Sequence, residues 1–268
     1  LNQYASPEIR AAYQEVKRLE NDRKDLWESF PTVMVMEEMK ERKPTFRLNR
    51  GVYDNPAEEV FPGTPSILPP MPEGEKNRLT FANWLVSPEN PLMSRVTVNR
   101  YWQMYFGTGL VKTSDNFGSQ GEFPSHPELL DWLATTFVES NWNVKELQRL
   151  IVTSATYRQS SVVSPELLEK DPENRLLARA TRMRLPAQMI RDQALSISGL
   201  LVENIGGPSV GPYQPDGLWD DIVERGQEYR LSTGDDLYRR SLYTFWKRTR
   251  PAPAMITFDS STRETHIV

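Results

Sequence analysis

The chain has 268 residues and a formal charge of −4, with 38% hydrophobic residues and no cysteine. This length suits one large domain or two ordinary ones, each able to bury a core. The slight acidic excess argues against nucleic acid as a partner, because there is no positive field to displace counterions. The lack of cysteine excludes disulfides, thiolate metal sites and covalent attachment of a c-type haem to this chain.

The hydropathy and the ends of the chain bear on its setting. No apolar run approaches the roughly 20 residues that span a bilayer, so the sequence predicts no transmembrane segment. The chain begins at Leu1 rather than at methionine and stops abruptly at Val268. We therefore expect the natural protein to be longer than this sequence.

The first elements are predicted to be a helix and a β-hairpin. Pro7, preceded by the potential N-cap Ser6, begins a polar helical pattern over residues 7–29. Alternating apolar residues then predict two strands, 32–38 and 45–50, which we expect to pair with each other as the hairpin.

Six prolines occupy residues 55–75. Because proline donates no backbone hydrogen bond and fixes φ, this segment is predicted to be an extended crossover without helices or strand ladders. Together with the helix and the hairpin, it makes residues 1–76 a connector to the main domain.

Residues 77–268 are predicted to form one helical domain whose core comes from amphipathic helices. Capping-box spacings begin two of these helices, at Ser125 and Asn143. The other predicted helices cover 78–86, 92–106 and 186–201, and one strand is expected at 241–246. The predicted fold class is mainly α: an irregular helical domain with a small β-hairpin and long proline-rich loops.

His126 is the first candidate catalytic residue, because it lies at a predicted helix start, where free N–H groups and the helix dipole favour anions. It could equally cap the helix or pack against the preceding loop. Asp131 would lie about one turn away, where it would orient His126 or face solvent. Asp115 and Glu122 share one loop and are candidates for paired-carboxylate hydrolysis, which needs carboxyl groups about 5 to 9 Å apart.

Arg95, Asn99 and Arg100 are candidate ligand-binding residues on the predicted helix 92–106. Arg95 and Asn99 share one stripe of this helix with two aromatic residues, which indicates a partly buried polar pair. Such a pair could clamp an anionic group. It could equally hold loop carbonyls of its own chain, because buried polar groups need partners.

The C-terminal segment supplies a second group of candidate ligand-binding residues, in which arginines and aromatic rings alternate. Such mixtures bind anionic or polyhydroxyl ligands. The group comprises Arg239, Arg240, Trp246, Asp259 and Arg263. The acidic residues nearby lack the regular spacing of a calcium loop, so no metal site is predicted. They are Asp216, Asp220, Asp221 and Glu224.

Several segments resemble, in the same order, a large family of secreted proteins of planctomycetes and verrucomicrobia. The resemblance extends over residues 32–268. The segments that carry it include RLTFANWLVSPENPLMSRVTVNRYWQMYFGTGLVKTSDNFGSQGEFPSHPELLDWLA, DPENRLLAR, MIRDQALSISGLL and YRRSLYTFWKRTRPAPAMITFD. The sequence departs from the expected pattern at Gln188 and at Thr265 and His266.

The resemblance implies export to a periplasmic or extracellular location. In this family a c-type cytochrome domain is often joined to planctomycete-specific domains of unknown function. The resemblance thus implies that haem c is carried by an N-terminal part or by a partner chain. That haem-bearing part, other chains of the same complex and extracellular polysaccharide are the expected partners.

Two classes of function follow as hypotheses. The first is an extracytoplasmic module linked to redox chemistry or electron transfer and acting on extracellular polysaccharide. The alternative is a non-catalytic domain that binds carbohydrate or serves as a scaffold, with tryptophan rings as stacking platforms. The candidate platforms are Trp102, Trp132, Trp219 and Trp246.

Overall fold

The computed structural model describes residues 5–218, 229–247 and 251–261. Helices dominate these residues, and the strands form one small antiparallel sheet, so the predicted mainly α class is confirmed. The chain divides into two compact units, Leu1–Ala82 and Asn83–Val268.

In the first unit, α1 covers Pro7–Ser29, as predicted. The Ser6 side chain accepts a hydrogen bond from the backbone N–H of Ile9, which stabilises the free end of the helix. No residue of α1 is buried. Its apolar side chains therefore lie exposed.

The hairpin of the first unit differs from the prediction. β1 (Phe46–Leu48) pairs with β2 (Pro56–Glu59), whereas residues 32–38 form no strand. The second strand thus lies in the proline-rich segment predicted to lack ladders. Pro56 is its first residue, a position where the missing N–H of proline is tolerated.

α2 covers Arg78–Leu85. The core of the second unit is built by α3 (Met93–Phe106), α4 (Pro127–Glu139) and α5 (Val144–Thr153). α3 packs against both α4 and α5. Gly107 ends α3, and its N–H donates to the Gln103 carbonyl. Its φ of 76° is one that glycine adopts without steric cost, which is why glycine is common at helix ends. The buried core residues include Val98, Trp102, Phe106, Leu133, Phe137 and Ile151.

The two predicted capping boxes have different outcomes. Asn143 caps α5, since its side chain accepts from the Glu146 N–H at 3.1 Å. The box predicted at Ser125 is wrong, because the N-cap of α4 is His126 and no side chain caps that helix end. Ser125 instead donates both its N–H and its hydroxyl to the Leu110 carbonyl.

The remaining helices are short: α6 (Ala155–Arg158), α7 (Pro165–Lys170), α8 (Ala187–Ile197) and α9 (Pro253–Thr257). α7 is not among the helices predicted from sequence. The strand predicted at 241–246 is wrong, because Ser241–Tyr243 is a 3-10 turn that packs on α8. Within residues 241–246, Thr244 forms an isolated bridge with Val210 and no strand. A second 3-10 turn covers Gly234–Tyr238.

Candidate functional site

Arg95 forms an ion pair between α3 and α4. Its Nε lies 2.6 Å from Oδ1 of Asp131, and its Nη1 donates to the Pro91 carbonyl at 2.7 Å. The hydrogen bond from Arg95 lowers the pKa of the Asp131 carboxyl. Asp131 is exposed to solvent, as one of the two sequence alternatives had it, and its partner there is Arg95.

Asn99 holds the loop that follows α3. It is fully buried, and its Nδ2 donates to the Val111 carbonyl at 2.9 Å and to the Ser114 hydroxyl at 3.3 Å. Its Oδ1 accepts from the Val111 N–H at 2.8 Å. The sequence left two possible roles for Asn99. The geometry matches the role in which Asn99 binds the backbone of its own loop.

Gly109 makes this arrangement sterically possible. A Cβ added at this position would lie 2.5 Å from Nδ2 of Asn99 and 2.6 Å from the Val111 carbonyl oxygen. Only a glycine lets the loop backbone approach the Asn99 amide this closely.

The other catalytic candidates, His126, Asp115 and Glu122, lie in the loop between α3 and α4, residues 107–126. Nδ1 of His126 lies 3.0 Å from the Ser125 hydroxyl. Asp115 is exposed and lies 3.6 Å from Arg100. Glu122 is exposed, and its N–H donates to the Thr113 hydroxyl. A catalytic role for these residues stays a prediction.

A pocket of about 240 Å³ opens at the end of α3, between the loop and residues 171–183. Arg175 forms part of its wall and donates to the carbonyls of Gly109 and Leu110, at 2.9 and 3.1 Å. Glu173 accepts from Nζ of Lys112 at 2.7 Å, which lowers the pKa of the carboxyl. Other lining residues are Phe106, Thr108, Ser125, Asn174, Thr181 and Arg182.

The segment 171–179 forms the outer wall of this pocket and was not nominated from sequence. Asp171 is buried, and its two carboxylate oxygens accept from the N–H groups of Arg175 and Leu176. The available signal was the turn-forming DPEN sequence, which predicts a loop but not its partner. The segment is held by Arg175, which donates to the Gly109 carbonyl, 66 residues away in the sequence.

Arg239 is the centre of a second polar cluster. It is 4% exposed, and its guanidinium donates to the carbonyls of Pro208, at 3.0 Å, and of Asn204 and Gly206. The guanidinium also stacks on the Tyr243 ring at 3.9 Å. The neighbouring Arg240 is exposed.

Two residues of α8 that were not nominated complete this cluster. Arg191 donates to the carbonyls of Arg239 and Leu237, at 2.8 and 2.9 Å, and burial lowers its pKa. Asp192 accepts from the Ser241 N–H at 2.7 Å. Both residues lie in the MIRD segment quoted for the resemblance, which was the only sequence signal for them.

The remaining nominated residues lie apart from the pocket. Trp246 packs against the small core cluster of Ala187, Ala252 and Met255. Asp259 pairs with Arg184. The candidate Arg263 and the candidate platform Trp219 lie outside the described residues.

The other two candidate platforms differ in exposure. Trp102 is buried and stacks on Phe106, with ring centroids 4.1 Å apart. Trp132 is about half exposed. Trp132 is therefore the more accessible ring of the two.

Within residues 5–218, 229–247 and 251–261, no group of three or more acidic or histidine side chains is arranged to hold a metal ion. Asp220, Asp221 and Glu224 lie outside these ranges. No helix in the described part of the chain has the length and apolar character needed to cross a membrane.

A family model, PSD1, described as a protein of unknown function (DUF1553), matches residues 77–268. No curated protein and no solved structure matches the chain.

We predict that Asn99→Leu lowers the free energy of unfolding by about 2 to 4 kcal/mol, because it leaves buried loop groups without partners. Asn99→Asp is expected to cost a similar amount, since an oxygen would face the Val111 carbonyl. Arg100→Ala, on the exposed side of the same helix, is the control and should change stability by less than about 0.5 kcal/mol. Urea unfolding followed by circular dichroism measures all three; equal values for Asn99→Leu and Arg100→Ala would contradict the role of Asn99.

We predict that Arg239→Met destabilises the chain by about 2 to 4 kcal/mol, because the buried guanidinium is lost and the carbonyls of Asn204, Gly206 and Pro208 lose their donor. Arg239→Lys should recover only part of this loss, since an ammonium cannot reproduce the planar fork. Arg240→Met is the matched control, with an expected effect below about 0.5 kcal/mol. Thermal unfolding of the three variants decides whether Arg239 has this structural role.

The Arg95–Asp131 pair makes a pH-dependent prediction. Because the pKa of Asp131 is lowered in the folded chain, its contribution is present above the usual aspartate pKa and is lost as pH falls through the lower folded value. A double-mutant cycle with Arg95→Met and Asp131→Asn should give a coupling of about 0.5 to 1 kcal/mol near pH 7, since both side chains are partly exposed. The coupling should disappear near pH 2; a coupling that persists there would contradict the assignment.

Proposed function

The chain belongs to the DUF1553 family over residues 77–268, and from its contacts we propose that it is a non-catalytic scaffold and interaction domain. In this proposal it works outside the cytoplasmic membrane, as one module of a protein or complex that also carries a c-type haem. The location and the haem-bearing partner are supported by the family resemblance. The non-catalytic role is supported by the geometry.

The observation that carries the proposal is the use of four buried or partly buried polar side chains. Asn99, Arg175, Arg191 and Arg239 direct their hydrogen bonds at backbone groups of their own chain. A binding or catalytic site instead needs polar groups aimed at an open volume. These side chains stabilise irregular loops, which is what a rigid scaffold requires.

An exposed apolar segment supports the interaction part of the proposal. Val33, Met34, Val35 and Met36 follow one another in the first unit, and each is at least 80% exposed. Contiguous exposed apolar surface of this kind is typical of sites that contact another domain or chain. Methionine adapts to irregular partner surfaces, because its side chain is unbranched and flexible.

The chain itself offers no covalent haem site. Attachment of a c-type haem uses cysteine thiols, and the sequence has no cysteine. The haem in this proposal therefore belongs to another part of the natural protein or to a partner chain.

The competing function is redox chemistry on extracellular polysaccharide, with this chain contributing the substrate site. The pocket at the end of α3 favours it, since it has polar and apolar walls and lies beside Ser125 and Arg182. Substitution of pocket residues separates the two functions.

We predict that Arg182→Ala, in the pocket wall, and His126→Ala, beside the lining residue Ser125, leave the activity of the haem-containing protein unchanged within twofold. The measurement is haem reduction, followed by absorbance, after addition of a sulfated galactan or an unsulfated glucan. A loss of more than tenfold in either variant, with unchanged thermal stability, would show that the pocket binds substrate and would overturn the non-catalytic role. If His126→Ala instead costs several kcal/mol of stability, His126 is a structural residue of the loop.

We also predict that the double variant Val33→Asp and Val35→Asp weakens association with the haem-bearing part by at least tenfold. The charges would have to be desolvated in the interface, whereas in the free chain they stay in water. Native mass spectrometry and sedimentation measure the association. The control is Lys40→Ala and Lys43→Ala, at exposed positions just beyond the apolar segment.

A further inference from the structure

α1 carries a regular apolar seam, none of whose residues is buried. Its apolar side chains recur with alternating spacings of three and four, which is the heptad pattern of a coiled-coil helix. The large ones are each more than half exposed. The seam consists of Ile9, Ala12, Val16, Leu19, Leu26 and Phe30, the last at the C-cap of α1.

The charges beside the seam are of one sign. The positions that flank a heptad seam, e and g, hold Glu8, Glu15, Glu20 and Asp22 and no basic residue. Arg18 pairs with Glu15 at 2.7 Å but lies outside these flanking positions. Arg23 occupies the one seam position that is not apolar.

These charges argue against a second copy of α1 as the partner. A parallel pair would place Glu15 opposite Glu20 of the other helix and Arg23 opposite its own copy. An antiparallel pair would bring the acidic g positions together. Both arrangements set like charges against each other beside a desolvated seam, which disfavours that pairing.

We propose that α1 forms a coiled coil with a helix that has an apolar heptad seam, lysine or arginine at its flanking positions and an acidic residue facing Arg23. The apolar layers would provide the affinity, and the flanking charges would select the partner. The inference rests on the proposed interaction function and specifies the chemistry of one partner. It uses a surface separate from the apolar segment 33–36.

The test uses the whole chain and two designed helical peptides with the same leucine seam. One peptide has lysine at its flanking positions and a glutamate placed to face Arg23; the other has glutamate at the flanking positions. Titration calorimetry at low and high salt should show the lysine peptide binding at least tenfold more tightly at low salt. The difference should shrink at high salt, because ions screen the flanking charges.

Three variants make the test specific. Val16→Asp with Leu19→Asp should abolish binding, and circular dichroism should show the helical signal of the second unit unchanged. Glu15→Lys with Glu20→Lys should shift the preference towards the glutamate peptide. Lys17→Ala with Lys24→Ala, on the opposite side of α1, should leave the affinity within twofold.

Several outcomes would overturn the proposal. These are equal affinity for both peptides, binding of neither, dimerisation of the chain through α1 at micromolar concentration, or binding of α1 to vesicles of phosphatidylcholine and phosphatidylglycerol. None of these outcomes bears on catalysis. The proposed non-catalytic function fails instead if the pocket variants abolish haem reduction, so the two failures are distinguishable.

Discussion

The second unit depends on one requirement: backbone groups in its long irregular segments must find hydrogen-bond partners where they are buried. Asn99 shows how this is achieved, since its amide pairs with both the N–H and the carbonyl of Val111. One side chain of α3 thereby replaces the ladder that a strand would have supplied. Gly109 permits the approach, because a side chain there would collide with the amide.

Arginine meets the same requirement elsewhere. Arg175 binds the loop at Gly109 and Leu110, Arg191 binds residues 237–239, and Arg239 binds residues 204–208. A guanidinium suits this use, since its planar fork can serve several carbonyls at once. The arginine-rich C-terminal segment therefore indicates irregular backbone that must be held in place.

The sequence predictions were correct where the deciding interaction lies within a few residues along the chain. α1 and the Asn143 cap depend on residues within one helical turn, and both were predicted correctly. The hairpin partner was predicted wrongly, because residues 32–38 have good local alternation whereas the actual partner, Pro56–Glu59, lies in a proline-rich segment that argued against a strand. At Ser125 the local capping pattern lost to the Leu110 carbonyl, which is fifteen residues away in sequence.

The sequence by itself determined the mainly α class, the family and the absence of cysteine-based chemistry, because apolar periodicity, segment order and composition are properties of the chain alone. It also nominated Asn99, as one of a partly buried polar pair, and Arg239, as a ligand-binding residue among aromatic rings. Only the tertiary structure decided which partners they have. Those partners are mainly loop carbonyls that folding brings close. They are 12 or more residues away along the chain, so the local sequence does not identify them.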